Sequence, residues 1–196
     1  MQSQLIIELK EEHRTIERLL ASLIRVAAHA NVGDQVTKPL LTNHVTLFRV
    51  LADSFHHGRE EEILFKAMHE SGMPYERGPL SVMLREHDEG RKCVSVLAEI
   101  ATAPGPLSAS NLEGIRHYAA AFAELLSSHI AKEDNVLYPM AEDRLGLEGL
   151  AELDEAARTR QTEEGLDRFH LIKTAEHLSE STLVTSNATS EFSEAG

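Results

Sequence analysis

Two stretches of this 196-residue chain carry residue types that bind transition metals, at the spacing a helix requires. The first is His56-His57-Gly58-Arg59-Glu60-Glu61-Glu62-Ile63-Leu64-Phe65. The second is His129-Ile130-Ala131-Lys132-Glu133-Asp134-Asn135-Val136-Leu137-Tyr138. In each, a His is followed four residues later by a Glu, then by a second acid, and then by Leu and an aromatic ring. On a helix, residues i and i+4 lie on one face about 6 Å apart along the axis. An imidazole and a carboxylate so placed can grip one metal ion, or the carboxylate can bridge two. Two such pairs on facing helices make half of a binuclear site.

The other half comes from a second repeated signal. Glu12-His13 and Glu86-His87 stand 74 residues apart, while His56 and His129, and Glu60 and Glu133, stand 73 apart. Each half of the chain therefore supplies one His on a first helix and a His-x-x-x-Glu on a second. Folding the halves together about a pseudo-twofold axis brings His13, His56, Glu60, His87, His129 and Glu133 to one level. Four neutral imidazoles and two carboxylates suit a first-row metal of borderline softness, with iron, manganese, zinc and cobalt all compatible. Two irons would each take two His, with Glu60 and Glu133 bridging. A bridging oxide or hydroxide would complete five donors per iron and leave a sixth position for dioxygen, peroxide, nitric oxide or azide. The competing reading is a pair of surface His–Glu contacts worth a few tenths of a kcal/mol each. That reading leaves His13 and His87 in apolar stripes at a matching level without a reason, and a buried unpaired imidazole is costly.

The elements that must position these residues are four helices. Leu9, His13, Ile16, Leu20, Leu23 and Ala27 fall at three-and-four spacing and predict a first helix over residues 4 to about 30. Asn31-Val32-Gly33-Asp34 is a stop, and Thr37-Lys38-Pro39 a restart with proline in the first turn. The second helix runs to about Glu70, with Leu41, Val45, Phe48, Ala52, His56 and Ile63 inward. The third starts near Pro79 and carries Leu80, Leu84, His87, Arg91, Val94, Ala98 and Ala101; Ala103-Pro104-Gly105-Pro106 ends it. The fourth runs from Ser108 or Ser110 to about Asp143 through Ile115, Phe122, Leu125, Leu126, His129, Glu133 and Val136, with a kink expected at Pro139. The expectation is an all-α fold: an up-down-up-down four-helix bundle over residues 1–143 with its site in the core. A helical extension over 144–178 and a mobile tail over 179–196 follow.

Composition agrees. Charged residues make up 26% of the chain, aromatics are few and Trp is absent, which suits a helical bundle. A net charge of −13 argues against nucleic-acid binding. Of it, −8 falls from Ala141 onward, where thirteen acids meet five bases. The lone Cys93 excludes an internal disulfide and a thiolate cluster, pointing to a reducing cytoplasm. No apolar run approaches a membrane span, and the first residues lack the shape of a signal peptide.

His13, His56-x-x-x-Glu60, His87 and His129-x-x-x-Glu133, with their Leu-Phe and Leu-Tyr-Pro flanks, resemble the hemerythrin HHE cation-binding family over roughly residues 5–143. The resemblance implies a four-helix bundle around a non-haem di-iron centre, with zinc or manganese as alternatives. Arg91 stands where oxygen-carrying hemerythrins place a second His on the third helix, Glu takes the place of a bridging Asp, and Lys66 replaces a common proline. The set is more similar to bacterial hemerythrin-like proteins linked to iron-centre repair, nitric oxide or oxidative stress. The implied function is binding of, or reaction with, dioxygen, nitric oxide or peroxide. The alternatives are a di-iron oxidase, peroxidase or nitric oxide reductase, and an iron-dependent module meeting a protein partner, or a second copy, through its C-terminal region.

The remaining histidines are weighed against that frame. His57 with Glu61 rivals His56 with Glu60, but alignment of the copies sets His57 opposite Ile130, so His56 is preferred. Glu61 and Asp134 are either solvent-facing or partners for an imidazole N–H. His44 and His117 each lie twelve residues before a ligand candidate, about 18 Å along the axis, too far to reach it. Both are expected at the surface or partly buried. His29 and His69 sit near helix ends. His170 and His177, with Glu163 and Glu164, fit a solvated helix face better than a further site. Cys93 reads as packing. Arg91 lies either near the open metal position or out in solvent, and Gly90 at the same level leaves room for an added ligand.

Overall fold

The computed structural model describes residues 2–164 and 167–191, and every regular element among them is helical. Helix α1 (Gln4–His29) starts where the Ser3 side chain accepts the Ile6 N–H. Helix α2 occupies residues 37–70 as Thr37–Leu47, two π-helical stretches at Phe48–His57 and Glu60–Leu64, and Phe65–Glu70. Helix α3 (Pro79–Thr102) has proline in its first turn. Helix α4 occupies residues 109–145; it opens with a reciprocal cap between Ser108 and Asn111 and contains a π turn at Glu133–Leu137. Each helix packs on the next and α4 returns to α1, which closes an up-down-up-down four-helix bundle.

Two features depart from the sequence-based expectation. Pro139 does not break α4: the chain stays helical through it, just after the π turn. The break falls at Gly146, whose φ of 63° strains any residue with a Cβ. Secondly, Val136 was expected to face inward, yet it is 51% exposed and Leu137 is buried in its place. The π turn inserts an extra residue into the helical repeat and rotates everything after Glu133 out of the 3.6-residue register.

Beyond Gly146, α5 (147–164) and α6 (Arg168–Glu191) lie against the bundle. Leu150, Leu153 and Ala157 join Leu5, Ile6 and Leu9 in one apolar cluster, while Ala175 and Leu178 join Ile16, Leu19 and Leu23 in another. The Asp154 carboxylate accepts from Ser3 Oγ (2.5 Å) and from the N–H groups of Gln4 and Leu5 (both 3.0 Å), satisfying donors that a helix start leaves open. Helix α6 includes Ser179 and Thr182, both buried, where the tail was expected to begin. Residues 192–196 of that tail lie outside the described residues.

The two apolar clusters are separated by one polar layer. Leu9 and Ile16 flank His13, Phe55 and Ile63 flank His56 and Glu60, Met83 and Val94 flank His87, and Leu126 and Leu137 flank His129 and Glu133. Each helix thus changes from apolar to chelating and back within about two to three turns.

Candidate metal centre

All six residues singled out by spacing meet in that layer, and each is at most 1% exposed. The Nε2 atoms of His13 and His56 face each other at 3.0 Å, and those of His87 and His129 do the same at 3.0 Å. Between the pairs lie the carboxylates. Glu133 reaches His129 Nε2 with Oε1 (3.0 Å) and His13 Nε2 with Oε2 (3.2 Å), so it spans the two halves. Glu60 Oε2 stands 3.7 Å from His56 Nε2 and 3.5 Å from His87 Nε2, spanning them from the other side. Glu60 Oε1 accepts the Tyr138 hydroxyl proton at 2.5 Å.

Every imidazole is oriented by an acid on its far nitrogen. The Nδ1–H of His13 donates to Asp134 (2.8 Å), that of His56 to Glu12 (3.0 Å), that of His87 to Glu61 (2.7 Å) and that of His129 to Glu86 (2.9 Å). This settles Glu61 and Asp134 as imidazole partners. The pattern is twofold: the acid preceding each first-helix His serves the motif His of its own half, and the acid after each spanning Glu serves the first-helix His of the other half. Bases hold these acids in turn. Arg59 pairs with Glu12 and Lys132 with Glu86, each being the residue before a spanning Glu. Glu12 also receives Arg168 from α6 at 2.6 Å.

The charges follow from those contacts. Burial raises the carboxyl of Glu12, but His56 and Arg59 more than offset it and lower the pKa to about 2. Glu61, Glu86 and Asp134 are likewise held below their usual values against the opposing effect of burial, by their imidazole partners and by Arg91, Lys132 and Arg14. These acids are therefore ionised and can only accept, which fixes a proton of each partner ring on Nδ1 and turns its Nε2 toward the centre. Burial lowers His56 and His87 to about 3, so both rings are neutral. Against burial, Asp134 and Glu133 raise His13 to about 9, and Glu133 and Glu86 raise His129. Without metal those two rings favour the charged form, which Glu133 balances. Burial, and after it the charge of Glu133, pushes Glu60 well above the carboxylate range. Burial works the same way on Glu133, but His129 and His13 outweigh it and hold that carboxyl well below the range. Without a cation, the layer thus favours one carboxylate charge, on Glu133, over two.

Such an arrangement fits a cation. Glu60 Oε2 and both oxygens of Glu133 are buried without a hydrogen-bond partner. The paired Nε2 atoms at 3.0 Å can share one proton within each pair, and a metal ion would displace that proton and take both nitrogens. Buried carboxylates and converging imidazole nitrogens are the donor set that borderline transition metals take. Two groups of four side chains place their donor atoms within 4.8 Å of one another: His13, His56, Glu60 and Glu133, and His57, Glu60, His87 and His129. Acids that fix the metal-facing tautomer are the usual outer support of such sites.

His57 is the member of the second group that alignment of the motifs had set aside. The nitrogen-free Ile130 does occupy its repeat position, but His57 is itself buried and lies against His87. Alignment by offset reads only what the halves share, and His57 belongs to what they do not. A cavity of about 280 Å³ adjoins it, lined in part by Phe48, Asp53, Gly90, Arg91, Phe122 and His129. Arg91 sits at its edge, paired with Glu61 (2.7 Å), Asp53 (2.8 Å) and Asp88 (2.9 Å).

The other histidines stay away from the layer. His44 is fully buried rather than at the surface, bonded to Leu40 O and Ser22 Oγ, both at 2.8 Å. His117 is exposed. His29 and His69 bond carbonyls near their helix ends, Arg25 O and Met73 O. His170 and His177 are exposed, and the side chains of Glu163 and Glu164 lie outside the described residues. Cys93 packs, half-buried, against the core.

A closed antiparallel bundle with a buried His and Glu layer across its middle defines a helical metal-binding protein. Residues 4–141 match the family described as the hemerythrin HHE cation binding domain, and the chain belongs to that family. Its relatives include the iron-sulfur cluster repair protein YtfE of Salmonella newport and that of Salmonella heidelberg. Each is 29% identical over 144 residues, covering 70% of this chain and 63% of the relative. The matched region thus spans less than two thirds of those relatives.

Proposed function

We propose that this chain is a cytoplasmic non-haem di-iron protein that binds or reacts with dioxygen, nitric oxide or peroxide in the response to oxidative or nitrosative stress. The observation that carries this reading is the convergence of four Nε2 atoms on two buried carboxyl groups, three of whose oxygens have no hydrogen-bond partner. His13 and His56 would hold one iron, His87 and His129 the other, and Glu60 and Glu133 both. Iron at that place supplies one-electron redox changes and open coordination positions for a diatomic ligand or peroxide.

What the chain does around it follows from its own residues. Glu12, Glu61, Glu86 and Asp134 orient the rings by accepting each Nδ1–H, so that every Nε2 points toward the centre. Phe48, Phe55, Leu126 and Ile130, packed in the cluster on one side, exclude bulk water and keep the local dielectric low. The cavity beside His57 and His129 gives a small molecule a path from the Arg91 surface inward. The single Cys93 suits a reducing compartment, and no described helix is long and apolar enough to cross a membrane. The name of the Salmonella relatives supports iron-centre repair as the form of stress response.

The test is a visible and near-ultraviolet spectrum of protein loaded with ferrous iron without air, recorded after oxygen is admitted and again after its removal. Two equivalents of iron and near-ultraviolet absorption that persists support the stress reading. A visible band that comes and goes with oxygen makes the protein a reversible carrier. Absence of bound iron overturns the proposal.

A further inference from the structure

Of the five histidines in the polar layer, one is unlike the rest. His57 is 7% exposed, and its Nδ1 has no hydrogen-bond partner; the nearest acid oxygen, Asp53 Oδ1, is 3.7 Å away. Leaving a buried imidazole nitrogen unmet is unfavourable by an amount comparable with a lost hydrogen bond. The ring nonetheless lies flat against His87, with centroids 3.8 Å apart and planes 12° from parallel. Its donor atom falls within 4.8 Å of those of Glu60, His87 and His129. The residue at its repeat position, Ile130, is buried and has no donor at all. An ordinary core position shared by both halves would be apolar in both.

We propose that His57 is the third imidazole of the His87–His129 subsite. This inference rests on the di-metal reading above and deepens it. The two subsites are then unequal: His57, His87 and His129 with Glu60 and Glu133 on one side, His13 and His56 with the same two carboxylates on the other. The subsite of His13 and His56 is left with the fewer protein donors, and Tyr138, stacked on His13 at 5.6 Å and 6°, forms its wall. His57, with His129, also lines the 280 Å³ cavity that reaches Arg91. A third imidazole contributed by α2 takes up a role that the Arg91 position on α3 does not fill.

The experiment is an anaerobic titration of the metal-free full chain with Co2+, followed by visible absorption, in the wild type and in His57→Gln. The wild type is expected to take two equivalents. The variant is expected to take the first as the wild type does and to bind the second more weakly by roughly ten-fold or more, with a stronger visible band as the coordination number falls. Two equivalents bound by the variant with wild-type affinity and spectrum would overturn the assignment of His57 while leaving the di-metal reading intact. A wild type that takes fewer than two equivalents overturns both. If His57→Gln does not fold, the cobalt-loaded wild type, labelled with ring-15N histidine, answers the question by itself. Hyperfine-shifted ring signals from five histidines support the proposal, and signals from four overturn it.

Discussion

The first half of the bundle and the second share a frame and differ in their surroundings. Glu12-His13 and His56-x-x-x-Glu60 superpose in role on Glu86-His87 and His129-x-x-x-Glu133, down to which acid holds which ring. Outside that frame the halves diverge. Glu12 is sealed under Arg59 and Arg168, whereas Glu86 lies beside Lys132 and lines the cavity. Tyr138 gives its proton to Glu60, but its counterpart Phe65 has no hydroxyl for Glu133 and only stacks near His87 at 5.9 Å. His57 has Ile130 as its counterpart in the other half. The shared parts are those that any metal pair requires. The unshared ones decide where a small molecule enters and which subsite stays open.

The largest expected effect comes from removing what the halves share. Glu133→Ala or Glu60→Ala should strip most of the metal, read by elemental analysis after gel filtration. Glu61→Ala should retain both ions with affinity lower by roughly ten-fold, since it orients His87 without spanning the pair. Loss of metal in Glu61→Ala with retention in Glu60→Ala would mean that the frame is shifted by one residue.

Next are the outer acids, which put the two halves in direct competition. Glu12→Ala should weaken metal binding by roughly 10–100-fold, and Glu86→Ala by an amount near the lower end of that range. The difference arises because Glu12 is fully buried, and its loss leaves Arg59 charged inside the core with Glu8, at 3.0 Å, as its remaining acid partner among the described residues. Lys132, partly exposed, can turn to water. Equal effects from the two variants would show that α6 adds nothing to the first half.

A smaller and more selective effect is expected from the cavity. A Cβ on Gly90 would come within 3.3 Å of Phe122 Cε2, so Gly90→Val pushes that ring into the open space. Metal content should stay unchanged while azide association, followed by stopped-flow absorption, slows several-fold. An unchanged rate would move the entry path to the Tyr138 side.

The shared frame was also what the sequence made legible. His13, His56, Glu60, His87, His129 and Glu133 stood out because one face of a helix repeats every three or four residues, and because the same spacing occurs twice. The stripes Leu9, Ile16, Leu20 and Leu41, Val45, Phe48 were legible for the same reason, and all are buried. What escaped did so for identifiable causes. Val136 and Leu137 exchanged places because a π turn changes the local period, and nothing in a 3.6-residue pattern announces it. His57 was set aside because offset alignment discards what only one half has. The contact of Arg168 with Glu12 joins residues 156 positions apart, beyond any local signal. Glu12 and Glu86 were visible in the repeated Glu-His dipeptides, but spacing gave them no role, because each serves a ring on another helix.

The extension supplies the smallest prediction, and it bears on the first half alone. Asp154 caps α1 through Ser3, Gln4 and Leu5, and no acid of the extension does the same for α3 among the described residues. Burial raises the Asp154 carboxyl, but the N–H of Leu5 and the Ser3 hydroxyl outweigh it, so its pKa lies below the usual 3.8. A carboxyl depressed by folding contributes stability that is fully present above its unfolded pKa and disappears as the pH falls through the folded one. Asp154→Ala should therefore destabilise the metal-free protein by about 1 kcal/mol near neutral pH. That corresponds to a melting temperature lower by roughly 2–4 °C for a chain of this size. The gap between variant and wild type, measured by urea denaturation from about pH 7 to about pH 3, should hold constant and then close only below about pH 4. A gap that persists at the acid end would mean that Asp154 acts by packing rather than by charge, and that the first half owes its tighter enclosure to the apolar contacts of Leu150 and Leu153.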